Sequence, residues 1–395
     1  MSVPTPAPIA IIGGGIFVKE QHLVCDSLHQ FRHSIPNIIL TQDPTQPAVL
    51  ATPLLSLKAI YSRSLKSAKE TSQLLPASHS AVDLYSEDSG PAKSFKDILS
   101  RSDIVGVIIA LPIRNQPAFI EAALKAGKHV LAEKPVGTDV ASAKKLILWY
   151  REIAAEKKVT WAVAEQFRFL PKYVWAAEQA RLLGRVIGFN FRVFQLCKQG
   201  ACTHTRGNCG TKKELTSYSD NKYFNTEWRK SPTHPYGFIL DGGVHSTAAV
   251  RMLLGQDQAQ TVIGYSSLAQ QHLAPVDTLS AVIKTKSGAV GSFTCSWGTT
   301  MKAAEYTVAC ENGSVTVEGD AGWILHKDGG KTEKDFPFIV GSGVTDEVQA
   351  WGAAIAEGKE NALLTPEVTL GDLELLEAML KSAEDKGAPK KLYLQ

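Results

Sequence analysis

A chain of 395 residues is too long for one ordinary hydrophobic core, so two domains are expected. Its 42 basic and 39 acidic residues leave a net charge of +3 with no basic block among aromatics, which excludes a nucleic-acid footprint. With 44% hydrophobic and 21% charged residues the composition is that of a globular protein, and no run approaches the ~18 consecutive apolar residues of a membrane span.

The opening MSVPTPAP has neither a charged n-region nor an apolar h-region, so residues 1–8 are expected to be a flexible leader and the protein cytoplasmic. PIAII, Pro8 to Ile12, predicts a first strand, followed by Gly13, Gly14 and Gly15 and a helical stretch from Ile16 through Phe17 to His29. Glycines between a strand and a helix let a backbone approach a pyrophosphate, as a dinucleotide site requires. Val18 stands where G-x-G-x-x-G has its third glycine, which loosens helix–strand packing and leaves the phosphate contact intact. A tight turn without a ligand is the plainer alternative.

LKAIY, Leu57 to Tyr61, predicts the second strand. Folds that bind NAD usually carry an acid at its end for the ribose 2′-hydroxyl, but here the chain offers Ser62, Arg63, Ser64 and Lys66. A guanidinium among hydroxyls suits a 2′-phosphate dianion, so NADP(H) is the expected cofactor. About 40 residues separate the glycines from this strand where ~20 is usual, and SIPNIILTQDPTQPAVLATP reads as an insertion. Arg63 at a solvated helix start is the bland alternative.

DIVGVIIAL, Asp103 to Leu111, and HVLAE, His129 to Glu133, predict two more strands, with QPAFIEAALKAG a helix between them closed by Gly127. Continuous apolar runs alternating with helices argue for a parallel sheet covered on both faces. LAEKPVGTD then sets Lys134 between Glu133 and Pro135 where a strand ends. Strand C-termini form the crevice of a doubly wound sheet, so a ligand is expected there.

Beyond Lys158 the texture changes. TWAVAEQ predicts a strand, Tyr173 to Leu183 a helix and RVIGFNFRVFQ a long alternating stretch. TLSAVIKT, AVGSFTCSW, YTVACENGSVTVEG and GWILHKDGG are period-2 runs, and Asn312–Gly313 marks a hairpin. They predict an antiparallel sheet with helices on one side, and helices near Thr345 to Glu357 and Pro366 to Lys386 close the chain. Cys197, Cys202 and Cys209, with His204 among them, lack the short C-x2-C knuckle of structural zinc sites, so thiols without a metal are expected. In LDGGVHSTAAVRMLLG, Asp241 and His245 fall on one helical face, a plausible acid–base pair. Taken singly, Asp241 reads as an N-cap and His245 as a core histidine. The polar stretch from Leu196 to Pro235, with Tyr218, Tyr223, Phe224 and Trp228 and Tyr236 just beyond it, reads as a substrate lid.

AEKPVG, the strand–GGGIF start, ALPIRNQP and LDGGVHSTAAVR together resemble the Gfo/Idh/MocA family, which includes glucose–fructose oxidoreductase and inositol dehydrogenase. The resemblance covers essentially the whole chain, and TEWRKSP followed by GFILDGGVH is similar to fungal members. It implies an α/β protein, with an N-terminal Rossmann domain with a parallel sheet over residues 9–137 and a C-terminal α/β domain with a mostly antiparallel open sheet over residues 138–395. That second sheet commonly builds homodimers or homotetramers. By the same resemblance, Lys134 is the substrate-binding, proton-relay lysine, with Glu133 and Pro135 shaping the cofactor cleft. Leu111, Pro112 and Gln116 fall on the T-P-x-x-x-H segment along the adenosine, with both ends departing from that pattern. Gln166 and Arg168 match the position after the sixth strand, and Trp228 and Arg229 a pair that closes over the cofactor. The expected function is an NADP-dependent oxidoreductase moving a hydride between nicotinamide and a carbinol or carbonyl carbon of a sugar, polyol or carbonyl compound. Asp241 would fix the substrate hydroxyl, and Lys134 or His245 would exchange the proton. Two alternatives are a non-catalytic regulator resembling the galactose-pathway repressor, and a redox-neutral enzyme with retained cofactor. All three of Lys134, Asp241 and His245 are present, which favours chemistry.

Overall fold

The computed structural model describes residues 5–23, 48–77, 81–198, 224, 226–337 and 343–395. The chain divides into two compact units, Met1–Pro171 with Pro337–Gly371, and Lys172–Phe336 with Asp372–Gln395.

The first unit carries six parallel strands: β1 (Ala7–Ile12), β2 (Leu55–Ser62), β3 (Asp83–Ser86), β4 (Gly106–Ile109), β5 (His129–Glu133) and β6 (Trp161–Ala164). Their order is β3-β2-β1-β4-β5-β6, so the winding reverses between β1 and β4. Ile12 pairs with Ile109, which brings both strand ends level and opens the crevice where such sheets bind ligands. Ile9, Ile11, Ile12, Ile60, Val107, Ile108 and Leu131 are almost wholly buried, as expected of β-branched and leucine runs covered on both faces. Helix Val140–Lys157 starts at Asp139, whose carboxylate accepts the Ser142 N–H at 2.8 Å, and stops at Lys158 in the left-handed region (φ 57°). Helix Val344–Glu357, far along the chain, returns to this unit and sets Val348 and Trp351 into its core. The helical stretch expected from Ile16 is a short turn with a π-helical part, Val18–His22, ending at Leu23. The remainder of that expectation, to His29, lies outside the described residues.

The second unit holds a nine-stranded sheet. Its strands are β7 (Val186–Leu196), β8 (Ala259–Ser267), β9 (Thr278–Thr285), β10 (Val290–Ser296), β11 (Gly298–Cys310), β12 (Gly313–Glu318), β13 (Ala321–His326), β14 (Lys331–Asp335) and β15 (Lys390–Lys391). The order is β14-β13-β12-β11-β7-β10-β9-β8-β15, antiparallel throughout except for β7 beside β10. Along β9, Leu279, Ala281 and Ile283 are buried while Ser280, Val282 and Lys284 face solvent, the alternation of a sheet covered on one side. Helix Gly237–Leu254 lies on the covered side, where Tyr306 of β11 donates its hydroxyl to Ser246 at 3.1 Å.

Candidate active site

In the first unit the chain leaves β1 at Gly13, with φ +137°. An added Cβ there would sit 2.4 Å from the Ala110 carbonyl oxygen, so only glycine lets the turn lie this close to the end of β4. The Gly13 N–H donates to the Tyr61 carbonyl at 2.8 Å, and Ser67 Oγ donates to the Gly14 carbonyl at 3.3 Å. Gly15 differs, because a Cβ there would meet nothing within 4 Å. Among the described residues, packing gives no reason for glycine at that place. Ile16 and Phe17 follow, both half-buried, and Phe17 packs edge-on against His22 with ring centroids 5.4 Å apart.

At the end of β2, Ser62 is buried, Arg63 is exposed, and Ser64 caps helix Leu65–Ser72 by accepting the Ser67 N–H at 3.3 Å. The Leu65 N–H donates to Asp88 Oδ1 at 2.6 Å, as does Ser86 Oγ at 2.6 Å. The Ser86 bond first, then the Leu65 amide, hold the Asp88 carboxyl below its usual range. Glu87 accepts the Tyr61 hydroxyl at 2.7 Å, and burial, then this bond, raise the Tyr61 phenol above its usual range. Two acids therefore stand beside the end of β2. They arrive from the loop after β3, which a reading of β2 alone does not reveal.

β5 ends in the E-K-P segment. Glu133 Oε1 lies 3.1 Å from Nε2 of the fully buried His22, so the turn after the glycines and the strand end carrying Lys134 are held together. Lys134 is half-buried, its N–H donates to the Ala164 carbonyl at 3.3 Å, and its peptide bond to the buried Pro135 is cis. Leu111 and Pro112, half-buried, follow β4, and the buried Gln116 turns its amide inward to the Leu111 carbonyl at 3.1 Å. Gln166 and Arg168 sit on the 3₁₀ turn Gln166–Phe169, where Gln166 is half-buried and the buried Arg168 donates to the Val368 carbonyl at 3.5 Å. His22 escaped the sequence reading. Its only signal was a histidine seven residues beyond the last glycine of the loop.

In the second unit, helix Gly237–Leu254 starts a full turn before Asp241, so Asp241 is not its N-cap. Gly242 admits the Trp297 ring, which an added Cβ would approach to 2.7 Å. Asp241 Oδ2 accepts from Arg229 Nε at 2.6 Å, with the two side chains only 7% and 13% exposed. The Arg229 guanidinium also lies 4.1 Å from the Trp228 ring centroid and reaches Thr226 Oγ1 at 3.3 Å. Sequence reasoning gave Arg229 to the cofactor and Asp241 to the substrate, and missed that they form one buried ion pair. His245, half-buried, follows one turn later on the same helix. Lys134 belongs to the first unit, and Asp241 and His245 to the second.

Cys197 is buried after β7, its carbonyl 2.8 Å from His272 Nε2. Cys202, His204, Cys209, Tyr218 and Tyr223 lie outside the described residues. Phe224 is buried against Phe238 and His272. Among the described residues no group of three or more His, Cys, Asp or Glu could hold a metal, and no helix is long and apolar enough to cross a membrane.

Comparison with known proteins finds the family described as "Oxidoreductase family, NAD-binding Rossmann fold" over residues 8–165, and "Oxidoreductase family, C-terminal alpha/beta domain" over residues 208–392. Dehydrogenase FPY6 of Fusarium mangiferae is 34% identical, across 97% of this chain and 98% of its own. Inositol 2-dehydrogenase 4 of Saccharopolyspora erythraea is 24% identical over 66% of this chain and 69% of its own. The crystal structure of an oxidoreductase from Thermotoga maritima superposes over 98% of both chains with a TM-score of 0.74 and 25% identity.

Proposed function

The chain belongs to the Gfo/Idh/MocA oxidoreductase family, and within it we propose an NADP(H)-dependent enzyme that interconverts a carbinol and a carbonyl on a sugar, polyol or similar small polar compound. The observation that carries this reading is Lys134 at the C-terminal end of a parallel strand, tied through Glu133 and His22 to the glycine turn. Gly13, Gly15, Ile16 and Phe17 would cradle the pyrophosphate, with Leu111 and Pro112 along the adenosine and Glu133 and Pro135 beside the nicotinamide. The bound nicotinamide supplies or accepts the hydride. Lys134 would hold the substrate oxygen and move its proton, and His245 is the second acid–base candidate. Asp241, its charge held by Arg229, accepts a substrate hydroxyl. A polyol-like substrate agrees with this set of donors and acceptors and with what the name of the Saccharopolyspora relative says. The test is oxidation of NADPH or reduction of NADP against a panel of aldoses, ketoses, polyols and aldehydes. No turnover with any of them would count against the reading.

The choice of NADP(H) rests on Arg63, exposed at the end of β2 beside Ser62 and Ser64. Asp88 accepts the Leu65 N–H in the same turn, so the guanidinium has to outweigh a carboxylate. A charge-assisted phosphate contact is worth about 1.5–3 kcal/mol, so Arg63→Ala is expected to weaken NADPH about 10- to 100-fold and leave NADH nearly unchanged. Equal binding of both cofactors by the wild-type protein, measured by fluorescence titration, would refute the assignment.

The same reading makes the protein a homodimer or homotetramer through the open face of its second sheet. Ile263 and Val282 are cross-strand neighbours there, and with Tyr265 and Val290 they face solvent. An exposed apolar face of this kind marks an interaction surface. Val282→Glu is expected to lower the sedimentation coefficient toward that of a single chain, and an unchanged value would remove this face from the assembly. A cytoplasmic setting suits the buried free thiols of Cys295 and Cys310.

A further inference from the structure

The acid that β2 lacks at its end arrives from the neighbouring strand. β2 and β3 pair in parallel with Ser62 opposite Ser86, so the residues that follow them, Arg63 to Leu65 and Glu87 to Ser89, leave the sheet side by side. Asp88 is the third residue of a turn closed by the Ser89 N–H on the Ser86 carbonyl at 3.3 Å, and the two serine hydroxyls also meet. Its Oδ1 accepts the Ser86 hydroxyl and the Leu65 N–H, each at 2.6 Å. Both donors are neutral, so they orient the exposed carboxylate without cancelling its charge. The bond from Ser86, then that from Leu65, hold the carboxyl below its ordinary range, and the charge is present at neutral pH.

The Leu65 N–H is the first amide of helix Leu65–Ser72, one of the donors with which a helix start draws an anion. The Ser67 N–H goes to Ser64 Oγ, and the Ala68 N–H to the Ser64 carbonyl. On its other side this helix start meets the glycine turn. Ser67 Oγ donates to the Gly14 carbonyl, and a Cβ on Gly14 would lie 2.5 Å from that hydroxyl oxygen and 3.0 Å from Ser62 Oγ. The turn Ser62–Leu65 therefore runs between the glycine turn and Asp88, where doubly wound sheets meet the adenosine ribose of a dinucleotide. A carboxylate already occupies an amide that a 2′-phosphate there would seek.

We propose that Asp88 is a specificity-determining residue of the cofactor site. Bonded to the Leu65 N–H, it competes with a 2′-phosphate for the first amide of the helix and repels the dianion, which narrows the preference that Arg63 creates. The direction of that preference rests on the assignment of Arg63 above, whereas discrimination by Asp88 does not. Asparagine separates charge from shape, because its amide oxygen can still accept the Leu65 N–H.

Fluorescence titration of the full-length protein with NADPH and with NADH tests this. Asp88→Asn is expected to tighten NADPH about three- to tenfold and to leave NADH within about twofold, the scale of one unit charge a few ångströms away in water. The gain should fade toward about 1 M salt, where the screening length is only about 3 Å. A structural role alone would move both cofactors together, leave their ratio unchanged and lower the melting temperature, and that result overturns the proposal. Weakened NADH with NADPH unmoved also overturns it, since the carboxylate would then receive the ribose hydroxyl. Wild-type protein that prefers NADH, together with NADPH tightened in Asp88→Asn, would instead overturn the NADP(H) assignment and support the role of Asp88.

Discussion

Lys134→Ala and His245→Ala are each expected to lower kcat by about 10²–10⁴-fold, the range that positioned acid–base groups contribute. Cofactor affinity should stay within a few-fold, because neither side chain is assigned to the phosphates or the adenosine. Single-turnover hydride transfer with the cofactor saturated separates this from binding. Wild-type rates in both variants would reduce the two to structural residues and favour a cofactor-sensing regulator on the same fold. A redox-neutral enzyme would give a third pattern, cofactor retained through purification and no net absorbance change during turnover.

Much of the fold is legible in the chain because each feature is encoded locally. Ile9 to Ile12 and Val107 to Ile109 form apolar runs too continuous for a half-exposed strand, and both are buried on two faces. Asn312–Gly313 marks the hairpin between β11 and β12, where Cys310 pairs with Gly313. What stayed hidden depends on partners distant in sequence. β3, with the sequence DLYS, is short and partly polar and is a strand only because β2 offers it a ladder. Glu133 meets His22 across 111 positions, and no spacing rule reports that. The acids at the end of β2 come from Glu87 and Asp88, so scanning β2 for an acid finds none although the fold supplies two. Helix Val344–Glu357 has the periodicity of any amphipathic helix, and periodicity does not say that it returns to the core of the first sheet. The motif residues were therefore readable, and the side chains that hold them were not.

The largest loss of stability is expected from Arg229→Ala. The variant leaves the Asp241 carboxylate 7% exposed without the guanidinium that meets it at 2.6 Å. Breaking a buried pair from one side costs about 3–5 kcal/mol. Asp241→Ala should cost a similar amount, and removing both charges should cost well under the sum, with a coupling of about 1–3 kcal/mol in a double-mutant cycle by urea denaturation. Arg229→Lys is a sharper probe of function. It keeps the charge but loses the planar nitrogen facing Asp241 and the stacking over Trp228, so it should retain most of the stability and still turn over more slowly. If Arg229 works through Asp241, Arg229→Ala and Asp241→Asn should both depress kcat while NADPH binding holds. If Arg229→Ala instead weakens NADPH while the fold keeps its stability, the arginine serves the cofactor directly, and Asp241 must draw its orientation from elsewhere on helix Gly237–Leu254.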